Sequence, residues 1–161
     1  MGDFSHLNKN REATMVDISG KAETKRQAVV GGKISISEAC RDALTIEAVR
    51  EIITTARLAG IQAAKQTAFL IPLCHQVPLS KVDIHIEFQD SNDPAFHLLA
   101  RTMTEAATGV EMEAFVAANM AAITIYDMIK AVDPGAWLGE FKLIEKSGGK
   151  AGVWTRNQCG E

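Results

Sequence analysis

The stretch "KVDIHIEF", residues 81–88, decides the fold. Val82, Ile84, Ile86 and Phe88 alternate with Asp83, His85 and Glu87. A period of two puts one face in a core and the other in water, which is a half-buried strand. "QDSNDP" at 89–94 reads as a turn, and "AFHLLARTMTEA" at 95–106 as the return strand. Upstream, "KRQAVVGGKISIS" at 25–37 is β-leaning, and its Gly31-Gly32 pair marks a bulge or bend. "ATMVDIS" at 13–19 reads as a further short strand. Ser37 is an N-cap for a short helix. A link near residues 43–46 then precedes a long helix to about Leu70, which Pro72 stops. A second long helix runs from about Gly109 to Val132, and "WLGEFKLIEKS" at 137–147 is the last strand. The order β–α–β–β–α–β predicts an α+β, ferredoxin-like fold: an antiparallel sheet with helices packed on one face.

The 161 residues suit one domain, expected at 14–152, after a flexible leader at 1–13 and before a polar tail at 153–161. The formal net charge is −3, which offers no bulk attraction to nucleic acid or an anionic membrane. An anionic ligand must therefore be met by a local cluster of cations. Cys40, Cys74 and Cys159 are odd in number and lack a framework spacing, so a reducing, cytoplasmic setting is expected. The first residues are polar, with no apolar signal core.

The acids Glu111 and Glu113 open the second long helix in "TGVEMEAF", 108–115. At 100° per residue they lie ~200° apart, so a regular helix cannot aim both at one point. They compensate the helix dipole, or they accept hydrogen bonds from a ligand. At the far end, Asp127 and Lys130 share a face as an i, i+3 pair. An ordinary ion pair and a catalytic pair both fit that spacing. Asp127 lies ~21 Å along the axis from Glu113. One helix cannot bring both to one substrate, but two copies about a two-fold axis can.

"LIPLCHQVPLS", 70–80, sets Cys74 and His75 in a proline-flanked loop. His75 suits proton transfer, or simply caps the loop. A thiol nucleophile or a metal ligand is also conceivable for Cys74, but no second Cys/His cluster exists and no metal is assigned. "EKSGGK", 145–150, places Lys146 and Lys150 around two glycines, an arrangement that can wrap an anion or form a solvated turn. Lys21, Lys25, Arg26 and Lys65 add positive charge.

"MVDIS.KAET", "ARLAGIQAAK", "LIPLCH", "TGVEMEA", "YDM.KAVD" and "EKSGGK" occur in this order over roughly residues 14–152. Together they closely resemble the cyclic pyranopterin monophosphate synthase family, molybdenum cofactor biosynthesis protein C. The resemblance implies a ferredoxin-like enzyme assembled as a hexamer of three dimers, with its site at the dimer interface. It implies a lyase that rearranges (8S)-3′,8-cyclo-7,8-dihydroguanosine 5′-triphosphate to cyclic pyranopterin monophosphate and pyrophosphate. By the same resemblance Asp127 is the active-site acid and Lys130 its partner. Leu73, Cys74, His75, Met112 and Glu113 contact substrate, with Glu111 beside them. Arg26, Lys146 and Lys150 hold phosphates. Asp127, Lys130 and His75 are the residues expected to move protons. No cofactor is required, though Mg2+ can accompany the triphosphate. The partners implied are that small molecule and further copies of the chain, with no nucleic acid and no membrane.

The chain departs from the family pattern twice. Val49 stands where members carry a catalytic lysine, followed by Arg50, which can hold phosphate but stays charged and shuttles protons poorly. Gln76 follows His75 where members often have proline. The missing lysine leaves a second expectation open: a homologue that binds the pterin precursor or serves in assembly without full catalysis. A small-molecule-sensing regulator of the same fold is disfavoured by the six ordered motifs.

Overall fold

The computed structural model describes residues 4–150 and 152–156; Cys159 and the outer ends of the expected leader and tail lie outside these. The elements are β1 (Thr24–Ser35), α1 (Glu38–Ala43), α2 (Ile46–Ala64), α3 (Thr67–Leu70), β2 (Leu79–Gln89), β3 (Ala95–Ala106), α4 (Glu111–Ile129), β4 (Trp137–Ser147) and β5 (Trp154–Thr155). Among the described residues one antiparallel sheet forms in the order β2-β3-β1-β4-β5. The first four strands and the two long helices follow the ferredoxin-like plan.

β1 is the central strand. It pairs with β3 along its whole length, from Thr24↔Ala106 to Ser35↔Ala95. Its pairing with β4 slips between Val29 and Val30 and again between Gly31 and Lys33, the irregularity expected at the Gly31-Gly32 pair. The Phe141 ring lies over Gly32, where a Cβ would sit 2.3 Å from it. In β2, Ile84 and Ile86 are buried while Asp83, His85 and Glu87 are exposed, as the alternation requires.

Three expectations need adjustment. Residues 13–19 do not form a strand beyond an isolated Leu7↔Ala13 bridge. The Asp17 carboxylate takes the Ser19 N–H at 2.9 Å, and Lys21 N–H bonds Ile18 O, so the chain turns instead of extending. The long helix ends at Ala64 rather than Leu70, because the buried Thr67 hydroxyl donates to Ala64 O at 3.0 Å and restarts the chain as α3. Trp154 and Thr155, expected in a polar tail, extend the sheet against Glu145 and Lys146.

The helices begin where side chains satisfy their free N–H groups. Ser37 accepts from Cys40 N–H, and Thr45 accepts from Ala48 N–H. The buried Asp133 carboxylate also accepts the Ser37 N–H at 2.6 Å, tying the turn after α4 to α1. α4 starts differently. Val110 gives no side-chain cap, and the buried Thr102 hydroxyl of β3 donates to Val110 O at 2.9 Å, fixing the helix start on the sheet. α4 is long and apolar enough to match a membrane span by length and composition, but its alanine face is buried in the core.

The core joins Val30, Ile34, Ile84, Phe96 and Leu98 of the sheet to Ala117, Ala121 and Ile125 of α4 and Ala56 of α2. α2 and α4 meet at Gly60. A Cβ there would lie 2.5 Å from Ile84 Cδ1 and 2.7 Å from Ala117 O. Backbone cannot give way as a flexible side chain would. Gly60→Ala should therefore destabilise the fold by about 1–3 kcal/mol, the usual cost of overpacking. A denaturant melt should show this, and an unchanged midpoint would mean that the helix pair adjusts freely.

Candidate functional site

A cavity of about 700 Å³ opens where three segments meet: residues 20–27, residues 107–111 and residues 146–152. Lys21, Arg26, Lys146 and Lys150 line it, with Glu111 as the acidic residue among them. On a chain of net charge −3 this is a concentrated positive site. Lys25 and Lys65 do not line it.

The local folding explains the placement. Arg26 lies near the start of β1 and reaches across to the end of β3, where Nε donates to Ala106 O at 2.9 Å and Nη2 to Ala107 O at 3.2 Å. These bonds hold the guanidinium in one orientation before any ligand arrives. Gly148 and Gly149 follow β4 with φ of 101° and 67°, which favour glycine. A Cβ on Gly149 would lie 2.6 Å from Arg26 Nη1, so the loop backbone rests on the guanidinium. Lys146, the penultimate residue of β4, sits beneath it and pairs with Glu111 at 3.1 Å, Nζ to Oε1.

Glu111 and Glu113 point to different surroundings, as their angular separation on the helix requires. Glu111 turns into the cavity, while Glu113 is only 4% exposed. Burial pushes the Glu113 carboxyl from 4.5 up to about 7; its own backbone N–H opposes this, and the Glu111 charge adds to it. The same buried neighbourhood holds the Cys74 thiol, which is pushed up by burial and by the Glu113 charge. Leu73, Cys74 and His75 are all half-buried, in the loop after α3. Asp17 feels the His75 charge as a minor influence; its carboxyl is held low mainly by the Ser19 N–H and hydroxyl. Met112, between the two acids, is 38% exposed.

Asp127 and Lys130 form the expected pair, 2.5 Å from Nζ to Oδ1, on an exposed surface. The hydrogen bond from Lys130 to Asp127 raises the lysine's pKa. Asp127 lies sixteen residues beyond Glu111 on α4, or about 24 Å at 1.5 Å per residue. The structure thus joins Arg26, Lys146, Lys150 and Glu111 in one cavity, brings Cys74 near Glu113, and leaves Asp127 and Lys130 at the opposite end of the helix. A smaller hollow of about 300 Å³ lies at that end, lined by Cys40, Ile52, Met128 and Val132. Val49 packs against the core nearby in the first turn of α2, and Arg50 is exposed. Among the described residues no group of three His, Cys, Asp or Glu side chains converges as metal ligands would.

Thr24, Gln27, Thr108 and Ser147 also line the cavity and were not singled out from the sequence. Thr24, Thr108 and Ser147 stand inside the motifs "MVDIS.KAET", "TGVEMEA" and "EKSGGK", and Gln27 adjoins Arg26.

A model described as the MoaC family matches residues 15–149. The chain is 44% identical over 163 residues to a cyclic pyranopterin monophosphate synthase of Thermomicrobium roseum, covering 97% of this chain and 95% of that protein. It is 44% identical over 160 residues to the protein of that name from Staphylococcus aureus strain Newman, covering 97% and 98%.

The raised Glu113 pKa makes stability depend on pH. The folded carboxyl at about 7 lies above its unfolded value of 4.5, so its contribution is full below 4.5 and is lost as pH rises through 7. Unfolding free energy should fall by on the order of 2 kcal/mol between pH 5 and 8 from this group. Glu113→Gln should flatten the profile in that window and be the more stable form at pH 8. Identical denaturant profiles for the two proteins would place Glu113 in a solvated setting.

Proposed function

The chain belongs to the MoaC family, and we propose that it is a lyase of molybdenum cofactor biosynthesis. It converts (8S)-3′,8-cyclo-7,8-dihydroguanosine 5′-triphosphate to cyclic pyranopterin monophosphate with release of pyrophosphate. The cationic cavity over the first turn of α4 carries this reading within the family. A triphosphate needs clustered, preoriented cations, and a guanine-type ring needs carboxylates to accept its N–H groups. The cavity offers four cations and, in Glu111, one such carboxylate on an otherwise acidic protein.

In this reading Arg26, Lys146 and Lys150 hold the phosphates and stabilise charge on the departing pyrophosphate. Glu111 meets the ring from within the cavity, while Met112, Glu113, Leu73, Cys74 and His75, which lie outside its lining, are assigned to the ring's further surroundings. Ring opening, ring closure and phosphate cyclisation each move protons, and Asp127, Lys130 and His75 are assigned to that work. The pair already shares a hydrogen bond, so the carboxylate and ammonium are placed to exchange a proton with a common partner. Val49 is apolar and packs against the core, so Lys130 is the amine assigned to the chemistry.

The length of α4 supports a site shared between protomers. A second copy supplies Asp127 and Lys130 to the cavity of the first, and the reading extends to a hexamer of three dimers. Ile46, Leu58 and Ile123 are exposed apolar residues on the long helices, which suits burial against another copy. A cytoplasmic location belongs to the same reading, as does the absence of a required cofactor, with Mg2+ able to accompany the triphosphate.

Purified protein given the cyclised nucleotide should release pyrophosphate. Asp127→Asn should leave the melting temperature unchanged and lower turnover by at least about 10²-fold, the scale of general acid–base catalysis. Turnover near the parent's would reduce Asp127 to an ion-pair partner of Lys130.

A further inference from the structure

Glu111 sits at odds with its setting. It is the one acidic residue in a cavity whose charged lining is otherwise four cations. Its Oε1 pairs with Lys146 Nζ at 3.1 Å, and the two side chains are 30% and 39% exposed. Its other oxygen folds back over Gly109, where a Cβ would lie only 1.9 Å from it. The absence of a side chain at 109 is what allows the carboxylate to lie in this position. A phosphate oxygen that binds Lys146 either shares its ammonium with Glu111 or displaces the carboxylate, and in both cases meets the Glu111 charge.

We propose that Glu111 is a built-in competitor for the phosphate end of the cavity, and that it makes the site selective against free pyrophosphate. The inference rests on reading this cavity as the polyphosphate site. A polyphosphate joined to a guanine-type ring offers an even exchange. Lys146 trades a carboxylate for a phosphate, and Glu111 trades an ammonium for ring N–H donors. Free pyrophosphate offers only the first half. It takes Lys146 and leaves Glu111 charged and without a donor, beside a polyanion. Repulsion at that separation disfavours the complex. The substrate is held by both ends, and pyrophosphate cut from its ring meets a carboxylate that reclaims Lys146. Glu111 thus sets specificity and hastens product release.

Titration calorimetry with inorganic pyrophosphate, at low ionic strength and without Mg2+, tests this directly. Glu111→Gln keeps the side-chain shape and removes the charge; it should bind pyrophosphate about tenfold more tightly than the parent. Gly109→Ala leaves the carboxylate in the chain but drives it from its place, and should tighten binding in the same direction. Lys146→Met should weaken binding in every background. If Glu111→Gln and Gly109→Ala both bind no more tightly than the parent while Lys146→Met still weakens binding, the competitor role is wrong and the anion site stands. If no form binds pyrophosphate, the competitor role and the polyphosphate reading of the cavity fail together.

Discussion

The structure depends on how closely α4 can approach α2 and the sheet. Gly60 makes that approach possible, with the Ala117 carbonyl and the Ile84 side chain occupying the space where its Cβ would be. Ala56 and Ala63 extend the small-residue face of α2, and Ala114, Ala118 and Ala121 do so on α4. Small side chains bury little area each, so the fit rests on dispersion contacts at short range. The result is a nineteen-residue rod held along its buried alanine face. One end is anchored to β3 through Thr102, and chemistry-bearing side chains stand at both ends.

That rod separates the electrostatics of its two acids. Residues two apart on a helix face away from each other, so Glu111 is drawn into the cationic cavity while Glu113 is pressed into the body of the protein. One carboxylate pairs with the Lys146 ammonium; the other lies near a thiol and loses its water. Burial thus raises the proton affinity of the Glu113 carboxyl. The rod's length has a second effect, because it places Asp127 and Lys130 beyond the reach of anything bound at Glu111 in the same protomer.

Much of the fold was legible because its signals are local. The strand at 81–88 shows in its alternation, the return strand at 95–106 in the turn residues before it, and the last strand at 137–147 in its apolar content. What was missed depends on partners distant in sequence or on a single side-chain bond. β5 is two residues that become a strand only against the edge of β4. The turn at Asp17 and the break at Thr67 each follow from one side chain taking a backbone partner. The candidate site divides in the same way. Arg26, Lys146 and Glu111 stood out in the sequence, but their shared cavity is assembled from three segments far apart in the chain, and Gln27 lies in none of the six ordered motifs. The nearness of Cys74 to Glu113 is likewise a product of tertiary packing.

A site divided between the ends of two α4 helices is tested most directly by complementation. Lys146→Ala damages the cavity, and Asp127→Asn damages the opposite end. Each protein alone should be inactive. Unfolding an equimolar mixture and refolding it together would form mixed assemblies, some with one site that has both intact halves. For two-fold pairs assembling at random, turnover should return to about a quarter of the parent's. No recovery in a mixture shown by mass to contain mixed assemblies would contradict a shared site and require Asp127 to act within its own protomer.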